Sequence, residues 1–511
     1  MLPEVMSTVR LPHRAGGRMA SDAAPNLLVI MSDQHSMHYL GCYGHSLVRT
    51  PHLDHLAAEG MRFVNAYCPA PLCVPSRMSF MTGRRPTANR VWSNTHILSS
   101  AIPTWAHALG IAGYDTALIG RMHFVGSDQR HGFQERPLGE YGAGFPGSPR
   151  LGAPLMRDIP VSTSGQCRES VEIAGRGRTT YQAFDEMVAE ATCNYLQERA
   201  RASHQRPFAA VAGMVLPHCP FVAPRELFDF YYPRVDVPEV SNEELPAAAR
   251  RFQELRGIAE PLPDERTRVA RAAYVGLCEH LDAQVGRILA ALDATGLAES
   301  TLVIYCSDHG EMAGEHGCWW KSCYYEGSVG IPLIARWPDI VPSGAVSDTI
   351  CNLLDLAPTW IEMANQHQKP CPSLPESDGH SLWRVLCGQA DDSRPDETYA
   401  EHMGGIDTAP SRMIRSGRWK LFQYADDTPT ALFDLEADPD ETHDLGQDPS
   451  HALLRDGLQE RLWCGWDPSY VRAESHKLDR DLEVLQQWGR TTQPPHPDTL
   501  PVPDVEEIEL I

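Results

Sequence analysis

No stretch of this 511-residue chain approaches the roughly 18 consecutive apolar residues of a membrane-spanning helix. Residues 1–25 hold no continuous apolar run of the kind a secretory leader carries. They read as a disordered N-terminal tail, with Met19 an alternative start to Met1. The 14 cysteines form no Cys-x-x-Cys pair and keep no regular spacing, which excludes a zinc ribbon and argues against a disulfide framework. Basic residues are in short supply: 44 Lys and Arg stand against 67 Asp and Glu, a net charge of −23. A surface of that sign repels nucleic acid and acidic membranes, so neither is an expected partner. The expectation is a cytoplasmic protein with reduced thiols.

What is present is a globular α/β pattern. Apolar residues make up 42% of the chain, enough for a sizeable core. Continuous apolar runs of strand length recur at "NLLVIMS" (26–32), "DTALIG" (115–120), "FAAVAGMVL" (208–216) and "TLVIYCS" (301–307). Helical patterns lie between them, the longest over Thr267–Gly296. Such alternation predicts a large, mostly parallel sheet sandwiched by helices. Residues from about Pro220 to Asp264, rich in Pro, Tyr and Glu, read as a surface excursion. After Gly404 the pattern becomes two short strands around a turn and a third strand, a small C-terminal antiparallel subdomain. The resulting division is a tail (1–25), a catalytic α/β domain (26–404), a C-terminal α+β subdomain (405–490) and a Pro-rich C-terminal arm (491–511).

Ligands of open α/β sheets bind beyond the carboxyl ends of the strands. The four apolar runs end in Asp33-Gln34-His35, in Arg121 and His123, in His218, and in Asp308-His309. Asp33, Asp308 and His309, with Gln34, offer a mostly hard-oxygen site suited to calcium, magnesium or manganese rather than zinc. Arg121, His123, His218 and Lys321 add positive charge and protons. A divalent metal beside several cations suits an anionic tetrahedral ester. Cys73 stands in a Pro-bounded turn at a predicted helix start, where free amides and the macrodipole favour an anion, and Arg77 one turn later points back to the same spot.

The segment "CVPSRMSFMTG" resembles the signature of the formylglycine-dependent sulfatases, of the alkaline-phosphatase-like superfamily. The resemblance runs over most of the chain, through "GRMHFVG", "PHCPF", "SDHGEMAGEHGCWWK" and "FDLEADPDETHDL", and is nearest to the choline-sulfatase-like branch. It implies that Cys73 is oxidised to formylglycine by a maturation enzyme that reads Pro75 and Arg77 in the unfolded chain. Arg77 then supports the aldehyde hydrate, one hydroxyl of which attacks sulfur while the other expels sulfate. By the same resemblance Asp33, Asp308, His309 and Gln34 hold one divalent ion, calcium first, with manganese or magnesium as alternatives. His123 assists the nucleophile, and His218 and Lys321 serve the leaving oxygen. Asn94 falls where the branch contacts substrate, a turn residue being the alternative reading. Trp319, Trp320, Tyr324 and Tyr325 read as core or rim packing.

Three departures stand out. Arg121 replaces a lysine, and a guanidinium clamps an oxyanion without acting as a base. Gly330 replaces a common arginine, which is expected to loosen the outer pocket. "EYGAGFPGSP" offers Tyr141 and Phe145 but lacks the tryptophan of a strong quaternary-ammonium cage, so choline O-sulfate is not favoured. The expected activity is hydrolysis of a small organic sulfate ester. A phosphonate monoester or phosphodiester hydrolase on the same site is the alternative within the enzyme class; that group replaces the Lys-x-His elements by hydroxyl residues, so His123 favours sulfate. A catalytically silent protein that binds sulfate or phosphate ligands is the alternative outside it. The arm suggests a homo-oligomer in which it closes a neighbour's site. Truncation after Gln493 is then expected to lower activity or oligomer mass, measurable by turnover and light scattering; no change in either removes that role.

Overall fold

The apolar run that begins at Asn26 forms the middle of the main sheet, with Leu27 to Met31 enclosed on both faces. Among the described residues eight strands build this sheet. They are β1 (Asn26–Asp33), β2 (Met61–Phe63), β3 (Asp115–Gly120), β4 (Glu135–Leu138), β5 (Phe208–Pro217), β6 (Thr301–Ser307), β7 (Leu333–Arg336) and β8 (Ala345–Ser347). Their order is β8-β2-β7-β6-β1-β5-β3-β4. The strands from β6 to β4 run parallel, and β7 is antiparallel to both its neighbours. The four runs picked out in the sequence are β6, β1, β5 and β3. They are consecutive neighbours, so their carboxyl ends open on one edge. The computed structural model describes residues 24–140, 165–202, 206–239, 245–404, 407–494 and 508–511. The tail before residue 24, Tyr141 and Phe145, and residues 495–507 of the arm lie outside them.

Helices cover the sheet because strands apolar on both faces must be buried on both. Thr180–Arg201 packs against β5 and against the 31-residue helix Asp264–Ala294. Cys73–Thr82, Trp105–Ile111 and Leu356–Gln366 pack together in a second group. Capping boxes start two of these helices, Thr104 with His107 and Thr179 with Gln182, each satisfying amides that the first turn leaves free. The longest helix begins three residues before the expected Thr267, with Asp264 and Glu265 in its first turn, where carboxylates oppose the helix dipole favourably. No described helix is long and apolar enough to cross a membrane.

The segment after Pro220 is not simply a surface excursion. It contains helices Arg225–Tyr231 and Ala247–Arg256, whose Phe228, Tyr231 and Phe252 are buried. Pro224, Pro246 and Pro263 sit immediately before helices, where a missing amide proton costs nothing. The small sheet has four antiparallel strands rather than three, β9 (Glu397–Gly404), β10 (Asp407–Ser416), β11 (Trp419–Tyr424) and β12 (Ala431–Asp434). The β9–β10 hairpin straddles residue 404. Lys420 on β11 is fully buried and pins this sheet to the main domain, 2.7 Å from Glu326 Oε1 and in contact with Glu441. The last residues return to the same chain: Ile508–Leu510 pair with Gly175–Gly177, and Glu509 bonds Arg176 and Arg225.

Close approach at the ends of β3 and β5 depends on glycine. A methyl group on Gly213 would lie 1.7 Å from the Arg121 carbonyl oxygen. Gly213→Ala is expected to destabilise the protein by about 1–3 kcal/mol through that overpacking. Equilibrium urea unfolding measures it; an unchanged midpoint and slope would remove the claim.

Candidate active site

Because β1 and β6 are neighbours in parallel register, Ser32 against Ser307, the residues that follow arrive side by side. Asp33, Asp308 and His309 bring ligand atoms within 4.8 Å of one another and of Cys73. His309 Nδ1 lies 3.0 Å from the Gly310 carbonyl and donates to it, which turns the Nε2 lone pair toward Asp33 Oδ1 at 3.7 Å and Asp308 Oδ1 at 3.6 Å. Two carboxylate oxygens and an imidazole lone pair, all buried and facing one point, repel one another unless a cation lies between them. This donor set fits a hard divalent ion.

Arg77 supplies fixed positive charge on the other side of the carboxylates. Its Nε is 2.7 Å from Asp308 Oδ2, and its Nη2 is 3.2 Å from both Asp33 Oδ2 and the Ser32 carbonyl. Nη1 reaches the Arg121 carbonyl at 3.3 Å, and the whole side chain is enclosed. Burial alone would lift Asp33, but the Arg121, His218, Arg77 and His309 beside it hold it well below the usual carboxylate range. Ser76, inside the same motif, donates to the Asp308 carbonyl at 2.6 Å.

Gln34 departs from its expected place among the metal ligands. Its backbone is left-handed, φ 69°, and its side chain turns to Glu311 and Lys321 instead. Only its amide N–H reaches the cluster, donating to Asp308 Oδ1 at 3.2 Å.

Cys73 opens the helix Cys73–Thr82, as its turn suggested. The Sγ lies 3.1 Å from His309 Nε2 and 3.6 Å from Asp33 Oδ1. Burial, then the Asp33 charge, pushes the thiol up to about 12, so the helix N-terminus does not make it a thiolate. As a plain thiol it is a poor nucleophile at neutral pH. Asn94 caps this helix: its Oδ1 accepts from the Val74 amide at 3.0 Å. The structure thus gives the Asn94 oxygen a capping contact, beside the two readings the sequence left open, substrate contact and turn residue.

The cations form the opposite wall. Arg121 donates from Nε to Asp33 Oδ2 at 2.9 Å and from Nη2 to His123 Nδ1 at 2.7 Å. His123 therefore accepts at Nδ1 and carries its proton on Nε2. Burial, and then Arg121, lower its basicity well below the usual imidazole value. His218 follows β5 and donates from Nδ1 to the Cys219 carbonyl at 2.6 Å. Its Nε2 accepts from Lys321 Nζ at 2.8 Å, and burial with the neighbouring ammonium keeps it neutral. Burial would lower Lys321, but the nearby Asp33 and Asp308 carboxylates oppose it, and the ammonium is held above its usual value.

Two positioning carboxylates escaped the sequence reading. Asp185, inside the helix Thr180–Arg201, accepts from the Val215 and Leu216 amides at 2.8 and 2.9 Å and holds the end of β5 before His218. Glu311 accepts from the Ala313 and Trp320 amides and fixes the loop that carries Lys321. Burial raises both to about 7. Asp185 carries no motif signal, whereas Glu311 stands within "SDHGE". Gly330 does not loosen the outer pocket: a side chain there would meet the Glu326 carbonyl at 2.7 Å and Met37 at 3.1 Å. Trp319, Trp320, Tyr324 and Tyr325 are all buried.

The sulfatase family model matches residues 25–366. A second model, described as N-sulphoglucosamine sulphohydrolase, C-terminal, matches residues 314–465. The chain is similar to the choline-sulfatase of Rhizobium meliloti (strain 1021), at 36% identity over 436 residues covering 83% of each chain. It is 29% identical to arylsulfatase K of Xenopus laevis, over 90% of this chain and 86% of that one. Among solved structures it resembles the phosphonate monoester hydrolase of Agrobacterium radiobacter, with a TM-score of 0.67 at 24% identity over 88% of this chain and 96% of that one.

Removing Arg77 leaves two enclosed carboxylates facing each other. Arg77→Ala is expected to cost about 3–5 kcal/mol, the usual loss when one partner of a buried ion pair is deleted. Calorimetry in chelator should show a fall in Tm, partly reversed by added calcium. A Tm equal to that of the parent protein in chelator would contradict the role given to Arg77.

Proposed function

This chain belongs to the sulfatase family and is a sulfuric ester hydrolase, and we propose that it cleaves a small organic sulfate ester to alcohol and sulfate at the Cys73 site. The observation that carries the reading is the convergence of Asp33, Asp308 and His309 on the Cys73 Sγ, with Arg121, His123, His218 and Lys321 facing them. Asp33, Asp308 and His309 would hold a divalent ion, calcium in the first instance and manganese or magnesium otherwise, which supplies Lewis-acid stabilisation of negative charge on the ester oxygens. Oxidised to formylglycine, Cys73 would supply a hydrated aldehyde, a nucleophile for sulfur that can afterwards release sulfate as it returns to the carbonyl form.

The remaining work falls to this chain's own side chains. Arg77 holds both metal-binding carboxylates in place and sets positive charge beside them. Arg121 cannot surrender its proton at neutral pH and so clamps an anionic oxygen while fixing the His123 ring. His123 holds a proton on Nε2. Lys321 holds the proton nearest the leaving oxygen, and His218, neutral and fixed through Cys219, orients the ammonium. Enclosure of these groups limits water and strengthens each electrostatic contact.

Cys73, Pro75 and Arg77 are all buried, so a maturation enzyme would have to read this segment before the chain folds. A cytoplasmic location accords with 14 unpaired cysteines. An oligomer closed by the arm would involve residues before Ile508, because the last four residues contact their own chain.

The alternative of a phosphonate monoester hydrolase draws on one feature, Arg121 in place of lysine, alongside the shared fold. Two measurements separate the readings. Peptide mass spectrometry on the Cys73 segment from the native host should find aldehyde or its hydrate, and an untouched thiol throughout would favour a ligand-binding protein. Turnover of an aryl sulfate should exceed that of a phenylphosphonate ester, and Cys73→Ala should lose it by about a thousandfold or more. A large preference for the phosphonate would overturn the sulfate assignment.

A further inference from the structure

His123 is held in a conformation that a non-glycine residue rarely adopts. Its φ is 60°, in the left-handed region, which persists in such a residue only when the surroundings enforce it. What enforces it is Glu140, seventeen residues further along the chain and just beyond β4. One carboxylate oxygen, Oε2, accepts from the Met122 and His123 amides, both at 2.8 Å. Successive amides converging on one oxygen form a concavity suited to an anion. The other oxygen, Oε1, lies 3.9 Å from Arg121 Nη1, and Arg136 Nη2 lies 3.8 Å from Oε2. Glu140 is 5% exposed.

The arrangement makes Arg121 a shared cation. One edge of its guanidinium bonds Asp33, Nη1 faces Glu140, and Nη2 donates to His123 Nδ1. Glu140 therefore acts on His123 twice, through the backbone amides and through the arginine that grips the ring. We propose that Glu140 is a positioning residue of the reaction: it holds the 121–123 turn and Arg121 so that His123 accepts at Nδ1 and presents Nε2–H to the reacting ester. This deepens the sulfatase reading and rests on it for its catalytic consequence. The geometric part, the orientation and tautomer of His123, is independent of that reading.

The test uses the full chain in three forms, the parent, Glu140→Gln and Glu140→Ala. Rates are expressed per mole of aldehyde at Cys73, as read by peptide mass spectrometry. Glutamine keeps an oxygen for the two amides but removes the charge opposite Arg121; alanine removes both. For Glu140→Ala, kcat on an aryl sulfate should fall about a hundredfold while KM changes less than threefold, as expected for a displaced reacting group. For Glu140→Gln the fall should be about tenfold, again in kcat. Nitrogen NMR of histidine-labelled protein, with the His123 signals identified by their loss in His123→Gln, should show Nδ1 as an acceptor in the parent and in Glu140→Gln. That signature should be lost in Glu140→Ala.

Parent-like kcat in Glu140→Gln overturns the proposal even if Glu140→Ala fails to fold. An unchanged His123 signature in a folded Glu140→Ala overturns it as well. If the parent itself hydrolyses no sulfate ester, it is the sulfatase reading that fails, and the NMR comparison still decides whether Glu140 sets the His123 ring.

Discussion

The structure turns on the placing of Arg77 between Asp33 and Asp308. Two carboxylates from neighbouring parallel strands are enclosed with no exposure, and such a pair cannot stay ionised in a low-dielectric interior without compensating charge. Arg77 reaches both from the helix that begins at Cys73, one turn after the cysteine. The helix, the two strand ends and the cluster of ligand atoms are thereby fixed to one another. A divalent ion on the open side of the carboxylates would complete the same balance of charge. Cys73 and the candidate ligands Asp33, Asp308 and His309 share one buried corner.

A second regularity concerns how a strongly acidic protein gathers cations around an anionic substrate. Arg121 and Lys321 are kept by carboxylates that lie behind them or within their loops, not by solvent. Asp185 accepts two amides at the end of β5, and Glu311 accepts two in the loop before Lys321. Each uses the strong pairing of a carboxylate with backbone N–H groups to hold an irregular turn that no ladder of sheet hydrogen bonds could hold. The His-bearing and Lys-bearing loops are thereby tied to specific partners although they lie beyond regular structure. Such anchoring suits a site whose donors must already point at a developing charge.

The C-terminal sheet contributes enclosure more than chemistry. Lys420 buries its ammonium against Glu326 and Glu441, and Trp92, next to the Asn94 segment, packs with Met403, Trp466 and Val471. The segment that caps the Cys73 helix is thus held by a subdomain more than 300 residues away in sequence. The neighbours of Asn94 along the chain do not reveal that its oxygen is already used by the Val74 amide.

By itself the sequence determined the sheet-and-helix alternation and the four strands that face the site, and it brought forward Asp33, Cys73, Arg77, Asp308, His309 and Lys321 as candidates. The strands are legible because short apolar runs alternate with helical patterns, Asp33, Asp308 and His309 because residues just past parallel strands share one edge, and Cys73, Arg77 and Lys321 through the motif segments that hold them. Only the tertiary structure decided how the side chains are spent. Gln34 turned to Lys321 and Glu311 because its backbone is left-handed. Asn94 became a helix cap, Gly330 a place where Met37 fills the space, and the Pro-rich stretch after Pro220 a pair of packed helices. Burial lifts the Cys73 thiol despite its place at a helix N-terminus. Asp185 and Glu140 could not have been found from spacing, since a carboxylate that accepts two distant amides leaves no periodic trace. Local pattern fixes which residues arrive at the edge; the partner each one meets there depends on segments that only folding brings together.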